Sequence, residues 1–137
     1  MKRPYLLDTC TALWMMADTL SPSAAEALAQ ARRDGLQVYV SPVTAWEIAV
    51  MARKGRFRSS YLPQRWFELL VAAPGMKLAE LPPKVLIESQ LLPGQFHDDP
   101  ADRIIAATAR EYGFTVMTRD RALLTYAQEG YLSALEC

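Results

Sequence analysis

Short apolar runs bounded by turn residues alternate with longer segments in which apolar positions recur every three or four residues, and the alternation runs the length of the chain. The short runs predict buried strands at residues 4–8 (PYLLD), 36–41 (LQVYVS), 76–81 (MKLAEL) and 114–118 (FTVMT), with an edge strand at 131–136 (YLSALE). The longer segments predict helices. TCTALWMMA (9–17) has helical spacing with Thr9 available as a cap, and SPSAAEALAQARRDG (21–35) is capped by Ser21 or Ser23 and stopped by Gly35. VTAWEIAVMARKG (43–55) closes at Gly55, YLPQRWFELLVAAPG (61–75) ends at Pro74-Gly75, and PPKVLIESQLLPG (82–94) is opened by proline. DPADRIIAATAREYG (99–113) is the clearest helix, and RDRALLTYAQEG (119–130) adds a last short one.

Strands alternating with helices predict an α/β fold with a mostly parallel sheet covered on both faces. No linker interrupts the 137 residues, so residues 1–137 are expected to form a single domain with its own core. The opening MKR and the leucines after it imitate a signal peptide, but Asp8 breaks the first apolar run and Asp18 follows the second. Neither run approaches the roughly 20 residues of a membrane span. The expectation is a cytosolic protein, not held in a membrane. Cys10 and Cys137 have neither metal nor redox spacing and read as reduced thiols. A formal net charge of zero argues against binding nucleic acid by overall charge alone, although RKGRFR (53–58) gathers positive charge locally.

Candidate chemistry rests on acids. In open α/β sheets, ligands bind beyond the carboxyl ends of the strands. Asp8 ends the first strand, Asp120 follows the FTVMT strand by two residues, Asp102 opens the clearest helix, and Glu47 lies in the helix entered from the second strand. Most have a plain structural reading as well. In DPAD, Asp99 is placed as an N-cap, Pro100 as the first helical residue and Asp102 as an acid favoured by the helix dipole. Asp120 is placed to cap the helix after it, and Asp8 to begin a turn. Glu47 resists such a reading: it is the only charged residue between Val43 and Ala52, and Val43, Thr44, Val50 and Met51 are its helical neighbours. A carboxylate there must be partnered or point into a cleft.

Carboxylates meeting at one sheet edge repel, by roughly 4 kcal/mol for a pair about 4 Å apart at an effective dielectric near 20. Arg103, Arg119 and Arg121 sit beside the acids in sequence and are expected to point away from them. Oxygen-only ligands suit Mg²⁺ or Mn²⁺, and a pair of such ions suits in-line attack on a phosphodiester. Other chemistries lack their residues. There is a single histidine, His97, read as structural, and no HExxH, CxxC, GxSxG or GxxxxGK[ST] occurs. Trp14, Trp46 and Trp66 read as core or interface residues.

At these positions the sequence resembles the PIN-domain nucleases and, within them, the VapC-type toxins of bacterial toxin–antitoxin pairs. LLDTCTALW, SPVTAWEIAVMARKGRF, HDDPADRIIAATA and VMTRDRALLTY look like that family's four motifs in order. The resemblance implies a PIN-like three-layer α/β/α sandwich and a Mg²⁺- or Mn²⁺-dependent endoribonuclease, usually dimeric, held inactive by a VapB-type antitoxin. Its metal-binding acids map onto Asp8, Glu47, Asp102 and Asp120. On this reading Asp8, Asp102 and Asp120 hold the metal, and Glu47 is a further ligand or orients the attacking water. Thr9, Thr118 and Asp99 support these carboxylates, and Arg53, Lys54, Arg56 and Arg58 track RNA phosphates. Cys10 stands where relatives often carry histidine and Ala101 where a bulky aromatic is common, so both bear on pocket shape. Two rivals predict otherwise: a Mg²⁺-dependent phosphotransfer domain with an aspartyl nucleophile, or a non-catalytic domain that binds only its protein partner.

Overall fold

The computed structural model describes residues 2–137. Each expected element is present. Strand β1 (Tyr5–Leu7) leads into α1 (Thr9–Met16) and α2 (Pro22–Arg33), and β2 (Val38–Val40) into α3 (Pro42–Arg53) and α4 (Pro63–Ala72). After β3 (Met76–Leu78) come α5 (Pro83–Gln90) and α6 (Pro100–Tyr112), and β4 (Thr115–Thr118) is followed by α7 (Arg121–Gln128) and β5 (Ser133–Glu136). Proline opens every helix from α2 to α6, where its missing N–H leaves no bond unmade and its φ is already helical. Ser21 and Ser41 cap α2 and α3, while Gly113, at φ 72°, supplies the left-handed residue that ends α6.

The cap of α1 differs from expectation. Asp8, not Thr9, is the N-cap, because Thr9 already lies inside the helix and its hydroxyl is engaged elsewhere.

The strands form one sheet in the order β3-β2-β1-β4-β5, with every neighbouring pair parallel. Strand periodicity divides the core between its faces. Leu7, Val38, Val40 and Met117 pack with Leu28, Ile48, Trp66 and Leu70 of the layer built by α1 to α4. Their neighbours Leu6 and Val116 turn the other way, onto Ile105, Ala106 and Leu123 of α6 and α7. The result is the three-layer sandwich. Burial on both faces explains why the central strands β1, β2 and β4 read as largely apolar runs, whereas the edge strands β3 and β5 carry exposed positions.

From β1 the chain steps outward to β2 and β3, then returns to lay β4 on the other side of β1. The winding therefore reverses between β1 and β4, and their carboxyl ends open the crevice in which α/β sheets bind ligands. Among the described residues no helix is long and apolar enough to cross a membrane. Cys10 and Cys137 are both free thiols.

Candidate metal centre

Asp8 leaves β1 at this crevice and is only 6% exposed. Its Oδ1 accepts the Thr11 N–H at 2.9 Å, which caps α1, and its Oδ2 accepts the hydroxyl of Thr118, the last residue of β4. The same hydroxyl oxygen accepts the N–H of Asp120 at 2.8 Å, so one threonine ties the acid of β1 to the acid that follows β4. Asp120 in turn caps α7, its Oδ2 accepting the Leu123 N–H at 3.0 Å. Asp99 caps α6 through the Asp102 N–H at 3.1 Å and thereby places Asp102 in the first turn.

Three helix N-termini are thus directed at one cavity of about 370 Å³, lined by Asp8, Glu47, Asp99, Asp102 and Asp120 together with Thr9, Cys10, Trp14 and Arg119. The positive ends of α1, α6 and α7 offset part of the carboxylate charge. Glu47 arrives from α3, half-buried, and accepts the Thr9 hydroxyl. Since Thr9 donates there, Thr44, at 2.9 Å, donates to Thr9, and the two hydroxyls form a chain ending on the carboxylate.

Crowding shows in the acidities. Burial first, then the charges of Asp120, Asp99, Glu47 and Asp8, push the Asp102 carboxyl up to about 7. Burial also raises Glu47, against the lowering effect of its Thr9 hydrogen bond. The Cys10 thiol is pushed up to about 11 by burial and then by the surrounding acids, so it stays protonated at neutral pH and is a poor nucleophile.

Cationic compensation from the protein is scant. Arg103 turns away, as expected from its place beside Asp102: its Nε donates to the Ser89 carbonyl at 2.8 Å and its Nη1 to the carbonyls of Phe96 and His97 at 2.9 and 3.1 Å. Arg119 does line the cavity, but its Nε donates to the Cys137 carbonyl at 2.9 Å and its guanidinium lies 4.0 Å over the Trp14 ring. Among the described residues, the basic side chain in contact with these acids is His97, whose Nε2 lies 3.2 Å from Asp102 Oδ2. A pocket with five carboxylates and so little protein cation has the donor set of a hard divalent ion. The residues fit such a metal.

The acids picked out in the sequence, with Thr9 and Asp99, all line this cavity, and Thr118 lies directly beneath it. The basic cluster divides. Arg56 and Arg58 line a neighbouring cavity of about 460 Å³ that shares Trp14 with the acidic one, whereas Arg53 and Lys54 end α3 in solvent and line neither. Trp66 is core, Trp14 packs against the same core while facing both cavities, and Trp46 is 57% exposed. Cys10 shapes the pocket. Ala101 does not, because it is 1% exposed inside the core beside Ile105. His97, read from sequence as structural, belongs with the site through Asp102, and its position two residues before the cap of α6 was the available signal.

Arg103 fixes the segment leading into α6 by three bonds to backbone carbonyls, which Arg103→Met removes while keeping much of the aliphatic stem. A loss of about 2–4 kcal/mol is expected by urea denaturation. A change under about 0.5 kcal/mol, the usual range for surface substitutions, contradicts the clamp.

The profile of the PIN domain matches residues 5–129. This chain belongs to the PIN-domain family. It is 32% identical over 123 residues to Ribonuclease VapC22 of Mycobacterium tuberculosis, covering 88% of this chain and 90% of that protein. Among solved structures, the fold is similar to VapBC2 from Rickettsia felis bound to a DNA fragment from its promoter, with a TM-score of 0.66 at 13% identity over 96% of this chain and 97% of that one. It is also similar to a toxin–antitoxin complex from Klebsiella pneumoniae, with a TM-score of 0.61 at 18% identity over 96% and 95% of the two chains.

Proposed function

We propose that the chain is a metal-dependent endoribonuclease and the toxin of a toxin–antitoxin pair. The observation that carries the reading is the convergence of Asp8, Glu47, Asp102 and Asp120 on one cavity at the sheet's switch point, in a PIN-domain chain whose relative is a ribonuclease. Asp8, Asp102 and Asp120 hold Mg²⁺ or Mn²⁺, and Glu47 is a further ligand or orients the attacking water. The metal, when bound, supplies the electrophile and acidifies its water.

The protein's part is placement. Thr118 holds Asp8 and the Asp120 backbone, and Thr9 holds Glu47, so the carboxylates are fixed before substrate arrives. No side chain is needed as a nucleophile: the Cys10 thiol stays protonated, and both carboxylate oxygens of Asp8 are already hydrogen-bonded, which suits a fixed ligand better than a phosphoryl acceptor. Water attacking at phosphorus leaves a 5′-phosphate and a 3′-hydroxyl. Arg56 and Arg58, on the cavity that adjoins through Trp14, are placed to follow the RNA backbone, with Arg53 and Lys54 further along. The partner is a VapB-type antitoxin, in keeping with the toxin–antitoxin structures that share the fold, and the family resemblance implies a cytosolic homodimer as the working form.

The end groups of the products test the chemistry. RNA fragments made with Mn²⁺ are expected to ligate directly through a 5′-phosphate. Fragments bearing 2′,3′-cyclic phosphates and 5′-hydroxyls would exclude water as the nucleophile.

A further inference from the structure

We propose that His97 is a positioning residue for the metal centre, its Nε2 edge set against Asp102 Oδ2. The inference rests on reading Asp102 as a metal ligand. The ring's own hydrogen bonds decide its role. The backbone N–H of Asp99 points at Nδ1 from 3.2 Å, so Nδ1 accepts and carries a lone pair. The ring proton is therefore on Nε2, and Nε2 lies 3.2 Å from Asp102 Oδ2. At that distance the positive N–H edge of the ring attracts one oxygen of the carboxylate, and a small turn of the ring completes a hydrogen bond that leaves the other oxygen for a cation.

The segment carrying His97 is itself built for the purpose. The His97 ring packs against Phe96 at 4.6 Å between centroids, and Phe96 packs against Tyr126 of α7 at 5.0 Å. Arg103, the residue after Asp102, holds the carbonyls of both Phe96 and His97. The first turn of α6 thus presents Asp102 to the cavity and clamps the loop that orients it. Asp99 completes the circuit, since its side chain caps α6 while its N–H fixes the imidazole tautomer.

Direct ligation by His97 is the competing arrangement, because a ring nitrogen and oxygens of Asp102 and Asp120 all lie within 4.8 Å of one another. It requires the proton to leave Nε2 and appear on Nδ1, where it would face the Asp99 N–H donor to donor. The geometry therefore favours the outer role.

The test uses Mn²⁺ alone, titrated into the metal-free full chain by calorimetry, with no RNA present. His97→Ala is expected to weaken Mn²⁺ binding by about 10- to 100-fold, the usual effect of losing a group that orients a metal ligand. His97→Gln, whose amide N–H can reach the Asp102 oxygen, is expected to restore most of the affinity, a rescue that simple loss of packing does not predict. Pulsed electron paramagnetic resonance of the Mn²⁺-loaded wild type is expected to show no directly bound nitrogen. Unchanged affinity in His97→Ala, no recovery in His97→Gln, or a bound nitrogen overturns the inference. If wild type binds no Mn²⁺, the inference falls with the metal centre. Because binding is read without RNA, the His97 pattern stands even if no RNA is cut, and that failure then falls on the nuclease reading alone.

Discussion

Asp8→Asn is expected to lower metal-dependent RNA cleavage at least about 100-fold, because loss of even a supporting residue around a metal ligand costs 10- to 100-fold. The protein should remain folded. Asparagine has the same shape, and its Oδ1 can still accept the Thr11 N–H, so α1 keeps a cap of equal quality. Its amide nitrogen meets Thr118 Oγ1, which can reverse from donor to acceptor. What is lost is one negative charge in a pocket of five carboxylates, and with it a ligand common to β1 and the switch point. Initial cleavage rates and thermal melts of the two proteins, taken together, separate this from unfolding. Full activity in Asp8→Asn removes Asp8 from the metal centre.

A second large effect is on stability. Metal-free protein is expected to become less stable as pH rises from about 4 to about 7, the reverse of the common acid-denaturation pattern. Asp102 has a folded-state pKa of about 7 against an ordinary 3.8. Between those values the native protein holds a proton that the unfolded chain has released, and stability falls with pH wherever the unfolded state binds fewer protons. The contribution is complete below about pH 4 and gone once pH passes about 7. Glu47, raised by burial, adds in the same direction.

At 1.36 kcal/mol per unit, the Asp102 shift alone amounts to at most about 4 kcal/mol, or about 10 °C in Tm for a domain of this size. Millimolar Mg²⁺ or Mn²⁺ should reverse the trend near neutral pH, since the metal binds the ionised site of the folded state only. Melting curves across pH for wild type and Asp102→Asn check both signs. The substitution is expected to flatten the metal-free slope. A flat wild-type profile, or an equally steep one in Asp102→Asn, contradicts the assignment of that charge conflict to Asp102.

Local patterning carried the elements, because proline openings, glycine stops and apolar runs act through neighbours in sequence. Strand order was less accessible. Leu6-Leu7 and Val116-Met117 bury both members of each pair on opposite faces, so no polar alternation marks which strand lies beside which. The return of β4 to the free side of β1 is a long-range fact, yet it is what brings Asp120 to Asp8.

The acids were legible for a reason that sequence alone obscures. A local backbone role and metal binding look like alternatives for Asp8, Asp102 and Asp120, but Asp8 and Asp120 each cap a helix through one oxygen, Asp102 sits in the first turn of α6, and all three still face the cavity. Threonine is a common cap, so Thr9 reads as one in the sequence, whereas its hydroxyl is committed to Glu47 across the fold. His97 escaped because its role depends on a loop conformation set by Arg103 and on the direction of a single backbone N–H. Arg56 and Arg58 part from Arg53 and Lys54 for a similar reason: the chain turns after α3 and carries only the later pair towards Trp14.

The most direct measurement is cleavage of end-labelled total RNA by EDTA-treated wild-type protein, freed of any antitoxin, with and without restored Mg²⁺ or Mn²⁺ and with Asp8→Asn alongside. Discrete cuts are expected from wild type only when metal is restored, and none from Asp8→Asn. Cleavage that persists in EDTA, or that Asp8→Asn performs equally well, would contradict a carboxylate-held metal as the source of activity.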